Sequence, residues 1–253
     1  MIWMIQTILK MIPSNKIAVV ITAAGSSTRI GSGSKKEYLP YKNGTVLSNC
    51  AKTFLKAFHK KYSLEKLIIT YPESQLDNAK AAVFTDTELC SLLENIHINI
   101  DFVPGSSTRQ KSVFCALDYI KKNCKSAQNL QVLIHDGARP FVSEKIILDV
   151  SEAAINFGSG VPGITPTDTI KEIDENGFIK RHLVRKNLSA VQTPQGFNFE
   201  ELYAAHLEAM KEPYEFTDDT EIYGKYCRPV KLVEGSSENI KITYPEDLEM
   251  LKK

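Results

Sequence analysis

Four short stretches hold the residues whose types could do chemistry. Thr22-Ala-Ala-Gly-Ser-Ser-Thr-Arg29 follows an apolar, β-branched run and is trailed by Gly31, Gly33, Lys35 and Lys36. Small residues let backbone approach a ligand, loop amides bind anions, and Arg29 with Lys36 adds fixed positive charge, a combination suited to a polyphosphate. A dinucleotide turn is the competing chemistry, but G-x-G-x-x-G is absent and no acidic residue closes the second strand, where a ribose acceptor would sit. The second stretch, Gly105-Ser-Ser-Thr-Arg109 with Lys111 and Ser112, opens a helix, whose unpaired N–H groups could meet a base or phosphate. Serines there are also ordinary caps.

His135-Asp136-Gly137-Ala138-Arg139-Pro140 ends a buried apolar run, the place where ligands gather in open α/β sheets. Asp136 is a candidate Mg²⁺ ligand, because that ion takes few protein carboxylates and completes its shell with water and phosphate oxygens. The competing roles are a turn former for Asp136 and a salt bridge for Arg139. His135 reads as structural, since nothing nearby requires a base. The fourth stretch, Asn239-Ile-Lys241, puts a charge inside an apolar strand pattern, for which a solvated strand face is the plain alternative.

The elements that must position these residues follow from periodicity. Short β-branched runs alternate with helical stripes from Lys16 onward, predicting an α/β fold with a mainly parallel sheet covered on both faces. Strands are expected at 17–22, 66–71, 96–103, 130–134 and 230–233. Leu47, Cys50, Ala51, Phe54, Leu55 and Phe58 recur at helical spacing on one face. Further helices are expected at 73–89, 109–120, from a Ser143 cap onward, at 198–210, after Thr217 and from Pro245. Between residues 166 and 190 two alternating runs flank Asp174-Glu-Asn-Gly177, the signal of a β-hairpin arm that must lie on its own body or on a second subunit. Residues 16–253 read as one domain with this arm, and 1–15 as an N-terminal extension.

The chain has 253 residues with 43% hydrophobic and 24% charged, enough to bury a sizeable core. Lys and Arg number 31 against 30 Asp and Glu, a net charge of +1, so no global field recruits nucleic acid or an anionic membrane. The 5 cysteines form no CxxC pair and read as reduced, mostly buried thiols. The apolar stretch 1–12 is short, is broken by Lys10 and lacks the parts of a signal peptide, so the expected compartment is the cytoplasm.

Taken together and in this order, Ala23 through Arg29, Lys36-Glu-Tyr-Leu39, Gly105 through Ser112-Val113, His135 through Pro140, Asp168-Thr169, Thr193-Pro-Gln195, Thr217-Asp218 and Asn239-Ile-Lys241 resemble the 2-C-methyl-D-erythritol 4-phosphate cytidylyltransferase family. The resemblance covers about residues 16–253. It implies a Rossmann-like nucleotidyltransferase using Mg²⁺, CTP and a sugar-alcohol phosphate, acting as a homodimer through its arms. Ala23, Ala24, Gly25, Gly105 and Ser112 would bind the nucleotide, and Arg29, Lys36 and Lys241 would be the catalytic cations on the triphosphate. Asp136 would hold the metal. Arg139, Thr169, Arg185 and Thr217 would hold the acceptor, with Thr169 and Arg185 reaching in from the partner's arm. Ser107 departs from relatives that carry a carboxylate there, which leaves the second protein contact to the metal open. A ribitol 5-phosphate cytidylyltransferase is the nearest alternative, and a nucleotide-binding protein without turnover is the alternative of another class.

Overall fold

Strand β1, Lys16–Thr22, is buried along nearly its whole length, as a run of β-branched residues covered on both sides must be. In the computed structural model, which describes residues 16–25, 35–59, 61–124 and 129–252, β1 lies between β4 (Ser63–Tyr71) and β6 (Leu130–Asp136), parallel to both. A further parallel strand, β5 (Ile100–Pro104), flanks β4. The 8-stranded sheet runs β10-β7-β11-β6-β1-β4-β5, with β12 (Leu232–Glu234) on β7. The added strands β7 (Ser159–Ile164), β10 (Ala190–Val191) and β11 (Gln195–Asn198) were not expected. Strand β11 is antiparallel to both β6 and β7. These pieces are short, and Gly160, Gly163 and Gly196 dilute the alternation that would announce them. The small hairpin β2–β3 (Pro40–Tyr41, Gly44–Thr45) was missed for the same lack of length.

Alternation along β1 assigns the two faces. Ile17, Val19 and Ile21 join one core with Leu47, Phe54 and Ile147, whereas Ala18 and Val20 join another with Val113, Leu117, Phe199 and Leu202. The first face is therefore covered by α1 (Val46–Phe58), α3 (Thr87–Ile96) and α5 (Glu144–Phe157), and the second by α4 (Arg109–Asn123), α6 (Phe199–Ala209) and α7 (Asp219–Tyr226). All six residues predicted to share a face of α1 are buried. Each fully buried Leu, Ile or Phe contributes about 1.5–3 kcal/mol. Ser143 caps α5 by accepting from the Ile146 N–H at 3.3 Å, as expected.

Four expectations need correction. The helix read over 73–89 is two helices, α2 (Leu76–Phe84) and α3. Asp86 stands between them, its Oδ1 accepting from the Leu89 N–H at 3.1 Å and its Oδ2 from Ser48 at 2.9 Å, with Lys52 2.8 Å away. A tertiary ion pair thus fixes the break. Helix α3 extends to Ile96, and His97 leaves it in the left-handed conformation at φ 56°, so the third strand begins at Ile100. The segment from Pro245 is 3-10 helix to Lys252. Only Cys50 of the 5 free cysteines is buried, and Cys227 is exposed.

The predicted hairpin is present as β8 (Lys171–Ile173) and β9 (Ile179–His182), a ribbon paired with no other strand among the described residues. Its turn is closed by Gly177 N–H to Asp174 O at 3.1 Å. Gly177, at φ +83°, supplies the left-handed residue that follows, a three-residue hairpin loop with a bulge. The Asp174 carboxylate accepts from the Asn176 and Phe178 N–H groups at 2.9 Å each.

Candidate active site

Parallel register carries Thr22 of β1 beside Asp136 of β6, so the loops that leave both strands open at the same sheet end. The loop after β5 joins them there. A Cβ on Gly105 would lie 2.3 Å from the Ala24 Cβ and 2.9 Å from Ser112 Oγ, so only glycine lets these two loops touch. The Ser112 hydroxyl accepts from the Ser106 N–H at 2.9 Å and donates to Thr108 O at 2.7 Å, stapling the loop into shape. Ala23 is buried, its N–H bonded to Thr70 O at 3.1 Å, and Gly25 is exposed. The Lys35 ammonium donates to the Gly25 carbonyl.

Asp136 is the electrostatic centre. Lys241 Nζ is 2.6 Å from its Oδ2, Arg109 Nε 3.3 Å from its Oδ1 and Arg139 Nε 4.0 Å away. Burial alone would raise its pKa, but Arg109, Lys241 and Arg139 hold the carboxyl far below the usual range, so it is an anion at neutral pH. Three cations against the two carboxylates of Asp136 and Asp219 leave one net positive charge at this corner. Arg139 donates through an NH group to Asn239 O at 2.7 Å. Its buried Nε has no hydrogen-bond partner.

His135 fixes this corner through packing and hydrogen bonds. It is fully buried, stacked edge-on against Phe54 at 5.1 Å, and burial lowers its pKa to about 4. The Asp136 N–H donates to Thr193 Oγ1 at 3.0 Å, and that hydroxyl lies 3.2 Å from His135 Nδ1. Nε2, 3.2 Å from Arg139 O, must then be the protonated nitrogen, since a carbonyl can only accept. The structural reading of His135 holds.

Lys241 lies in irregular chain rather than in the expected strand. Ile242 N–H donates to Ala138 O at 2.8 Å and Lys36 Nζ donates to Ile242 O at 2.8 Å, so backbone bonds to the Asp136 loop and to Lys36 replace a sheet ladder. Lys36 and Lys241 therefore meet through one short segment, although 205 positions separate them in the 253-residue chain. Thr217 is exposed just before α7, whose cap Asp218 accepts from Gln195 Nε2 at 2.8 Å. Thr169 and Arg185 are exposed on the arm, where Arg185 donates to Thr167 O at 2.7 Å. No contact among the described residues joins these two to Asp136. Arg29 and the extension 1–15 lie outside the described residues.

Two charged residues bonded to this corner were not assigned a role from sequence. Arg109 is the first residue of α4, and its NH1 is 2.8 Å from Asp219 Oδ2. A cation at a helix N-terminus opposes the macrodipole, and that mismatch was the legible sign that carboxylates must be waiting for it. Asp219 is fully buried and accepts from His206 Nε2 at 3.0 Å. Nothing in its local sequence sets it apart from a helix-start acid.

The sequence profile described as 2-C-methyl-D-erythritol 4-phosphate cytidylyltransferase matches residues 17–252. The chain belongs to this family. A cytidylyltransferase of that name from Clostridium beijerinckii is 37% identical over 233 residues, spanning 92% of this chain and 95% of the relative. The namesake from Bacillus cytotoxicus is 35% identical over 230 residues, 91% of this chain and 93% of its own. Among solved structures, the 4-diphosphocytidyl-2C-methyl-D-erythritol synthase of Anaerococcus prevotii superposes with a TM-score of 0.76 at 29% identity, covering 96% of each chain. The 2-C-methyl-D-erythritol 4-phosphate cytidylyltransferase of Thermus thermophilus gives 0.69 at 29% identity, over 94% of this chain and 97% of that one. Membership makes the chain a nucleotidyltransferase with the Rossmann-like fold that the resemblance implied, built on the α/β sheet expected from its periodicity. Within this cytidylyltransferase family, the Asp136 corner is the part whose chemistry can be derived from the residues themselves.

Proposed function

We propose that the chain transfers CMP from CTP to 2-C-methyl-D-erythritol 4-phosphate, giving 4-diphosphocytidyl-2-C-methyl-D-erythritol and pyrophosphate in isoprenoid precursor biosynthesis. The observation that carries this reading is Asp136, charged and buried among Lys241, Arg109 and Arg139 where the β1, β5 and β6 loops converge. An acceptor phosphate oxygen attacks the α-phosphorus of CTP while the bond to the β-phosphate oxygen breaks. The nucleophile is already ionised at neutral pH, so no general base is needed. That agrees with a histidine locked neutral beside the site. The residues have to hold two repelling anions in line and stabilise charge on the α-phosphate and the departing pyrophosphate. Lys36, Lys241 and Arg29 are assigned to the triphosphate. Ala23, Ala24, Gly25, Gly105 and Ser112 shape the cytidine side, and Arg139 with Thr217 the acceptor side.

Mg²⁺ fits this corner only in company. Among the described residues no group of three or more His, Cys, Asp or Glu could hold a metal ion. One hard carboxylate amid cations suits an ion that arrives on a polyphosphate and draws most of its shell from phosphate and water. Asp136 would hold it, and the ion would neutralise phosphate charge. Thr169 and Arg185 complete the acceptor site from a partner's arm in a homodimer. The arm's exposed Phe178 (72%), Ile173 (60%) and Ile179 (55%) favour a covering surface. No helix among the described residues is long and apolar enough to cross a membrane. With 5 free cysteines, the reading for compartment is the cytoplasm.

The test is pyrophosphate release from CTP and Mg²⁺ with 2-C-methyl-D-erythritol 4-phosphate or ribitol 5-phosphate, with Asp136→Ala as control. Release with the first acceptor alone, abolished in the variant, is expected. Release with ribitol phosphate would move the acceptor assignment, and silence with both would leave a nucleotide-binding protein.

A further inference from the structure

We propose that Asp219 is a positioning residue: it holds Arg109 away from a two-pronged clasp on Asp136, so that Asp136 keeps an oxygen for a cation borne by the nucleotide. This rests on the reading of Asp136 as the metal-holding carboxylate.

A guanidinium beside a carboxylate ordinarily pairs with it through two parallel N–H groups. Arg109 does not. Its short contact, NH1 to Oδ2 at 2.8 Å, goes to Asp219, and Asp136 receives only Nε at 3.3 Å, at the long edge of hydrogen bonding. The Asp136 oxygen that Arg109 leaves aside, Oδ2, is met by Lys241 at 2.6 Å. A flexible lysine can exchange that oxygen for a phosphate once the nucleotide arrives, whereas a bidentate arginine would hold both oxygens.

The restraint is itself fixed from behind. Asp219 is fully buried, and its other oxygen accepts from His206 Nε2 at 3.0 Å. It begins α7, whose preceding residue Asp218 accepts from the Thr220 and Glu221 N–H groups at 3.1 Å each and from Gln195 Nε2 at 2.8 Å. Burying this carboxylate is costly unless it is paired, and the pairing runs through α6, α7 and β11 to Arg109, while Lys241 and, at 4.0 Å, Arg139 face the Asp136 Oδ2. The same α7 start follows Thr217 directly, so the acceptor side and the Asp136 corner share one anchor.

The test uses the full-length protein, CTP without acceptor, and Mn²⁺ in place of Mg²⁺, with bound Mn²⁺ read by electron paramagnetic resonance. Asp219→Asn keeps the shape and an acceptor for His206 but removes the charge. Folded by circular dichroism, it is expected to hold Mn²⁺ with CTP roughly tenfold or more weakly than the wild type, the range for groups that orient a metal ligand. Adding Arg109→Gln to it should recover most of that loss, because the arginine that closes over Asp136 is gone. A purely structural Asp219 would make the double variant no better than the single one. Wild-type Mn²⁺ affinity in Asp219→Asn, or no recovery in the double variant, overturns the restraint. Unchanged Mn²⁺ retention in Asp136→Asn would instead overturn the metal reading beneath it. Asp219→Ser, with the same charge removed from a smaller side chain, is the second variant should the first not fold.

Discussion

Lys36 is tied into the fold by the same ammonium that the proposed function assigns to the triphosphate. Its ammonium bonds the Ile242 carbonyl at 2.8 Å and so sits one residue from Lys241. A donor placed to meet charge that builds in the transition state is worth roughly 2.7 to 4 kcal/mol. Lys36→Ala should therefore lower kcat by two to three orders of magnitude, on the order of that energy, while CTP KM rises far less. Steady-state kinetics with an unchanged kcat would remove Lys36 from the mechanism. Asp219 carries a pH dependence whose sign is fixed by its partners. Burial alone would raise its carboxyl, but the Arg109 charge and the His206 hydrogen bond prevail and hold it at about 2. An unfolded aspartate titrates near ~3.9, so the unfolded chain takes up that proton first as pH falls. The stabilisation is complete above about pH 5 and is lost toward pH 2, about 2 to 3 kcal/mol in all. Urea unfolding of wild type and Asp219→Asn should show a stability gap that is full at and above about pH 5 and narrows on acidification. A gap that widens in acid would refute the assignment of charge.

At the scale of elements, the site depends on two loops touching after β1 and β5. Gly105 is the point of contact, because its missing side chain is where Ala24 and the Ser112 hydroxyl come within 3 Å of an added Cβ. Gly105→Ala must push the loops apart at a cost of about 1–3 kcal/mol. The cost falls on the pocket more than on the core, since the sheet below is unaffected. Calorimetric titration with CTP should find affinity lowered at least about tenfold, the equivalent of ~1.4 kcal/mol, with helix content intact. Undiminished CTP affinity would mean the loop backbone yields, and the Gly105 contact would then lose its role. The helices themselves were legible where a full apolar stripe exists, as in α1, and failed where a tertiary partner intervened, as at Asp86.

At the scale of the whole molecule the arm decides whether one chain suffices. Thr169 and Arg185 flank, at the base of the arm, a ribbon without strand partners in its own body among the described residues, and the ribbon's large apolar side chains face outward. An isolated two-stranded ribbon is marginal in water, so a second copy is the natural support. If each site takes its body from one subunit and its arm from the other, Lys36→Ala and Arg185→Ala chains should be inactive separately but complement when mixed. Random exchange into two-fold dimers makes half of them mixed, each with one intact site, so activity should return to about a quarter of the wild type. No recovery after exchange would place both residues in the same chain's site, or the arm outside any site.

Sequence alone determined the α/β class, the alternation that buries β1 on both faces, the hairpin at Asp174–Gly177 and the identity of the loops at the sheet's C-terminal end. These are local properties: side-chain period, turn chemistry and composition act over a few residues. The antiparallel addition of β7, β10 and β11, the break at Asp86, the irregular course of the Lys241 segment and the coupling of Arg109 to both Asp136 and Asp219 were decided only by the tertiary structure. Each depends on groups far apart in the chain whose attraction exists only after the sheet has brought them within a few ångströms, and no local pattern encodes that distance.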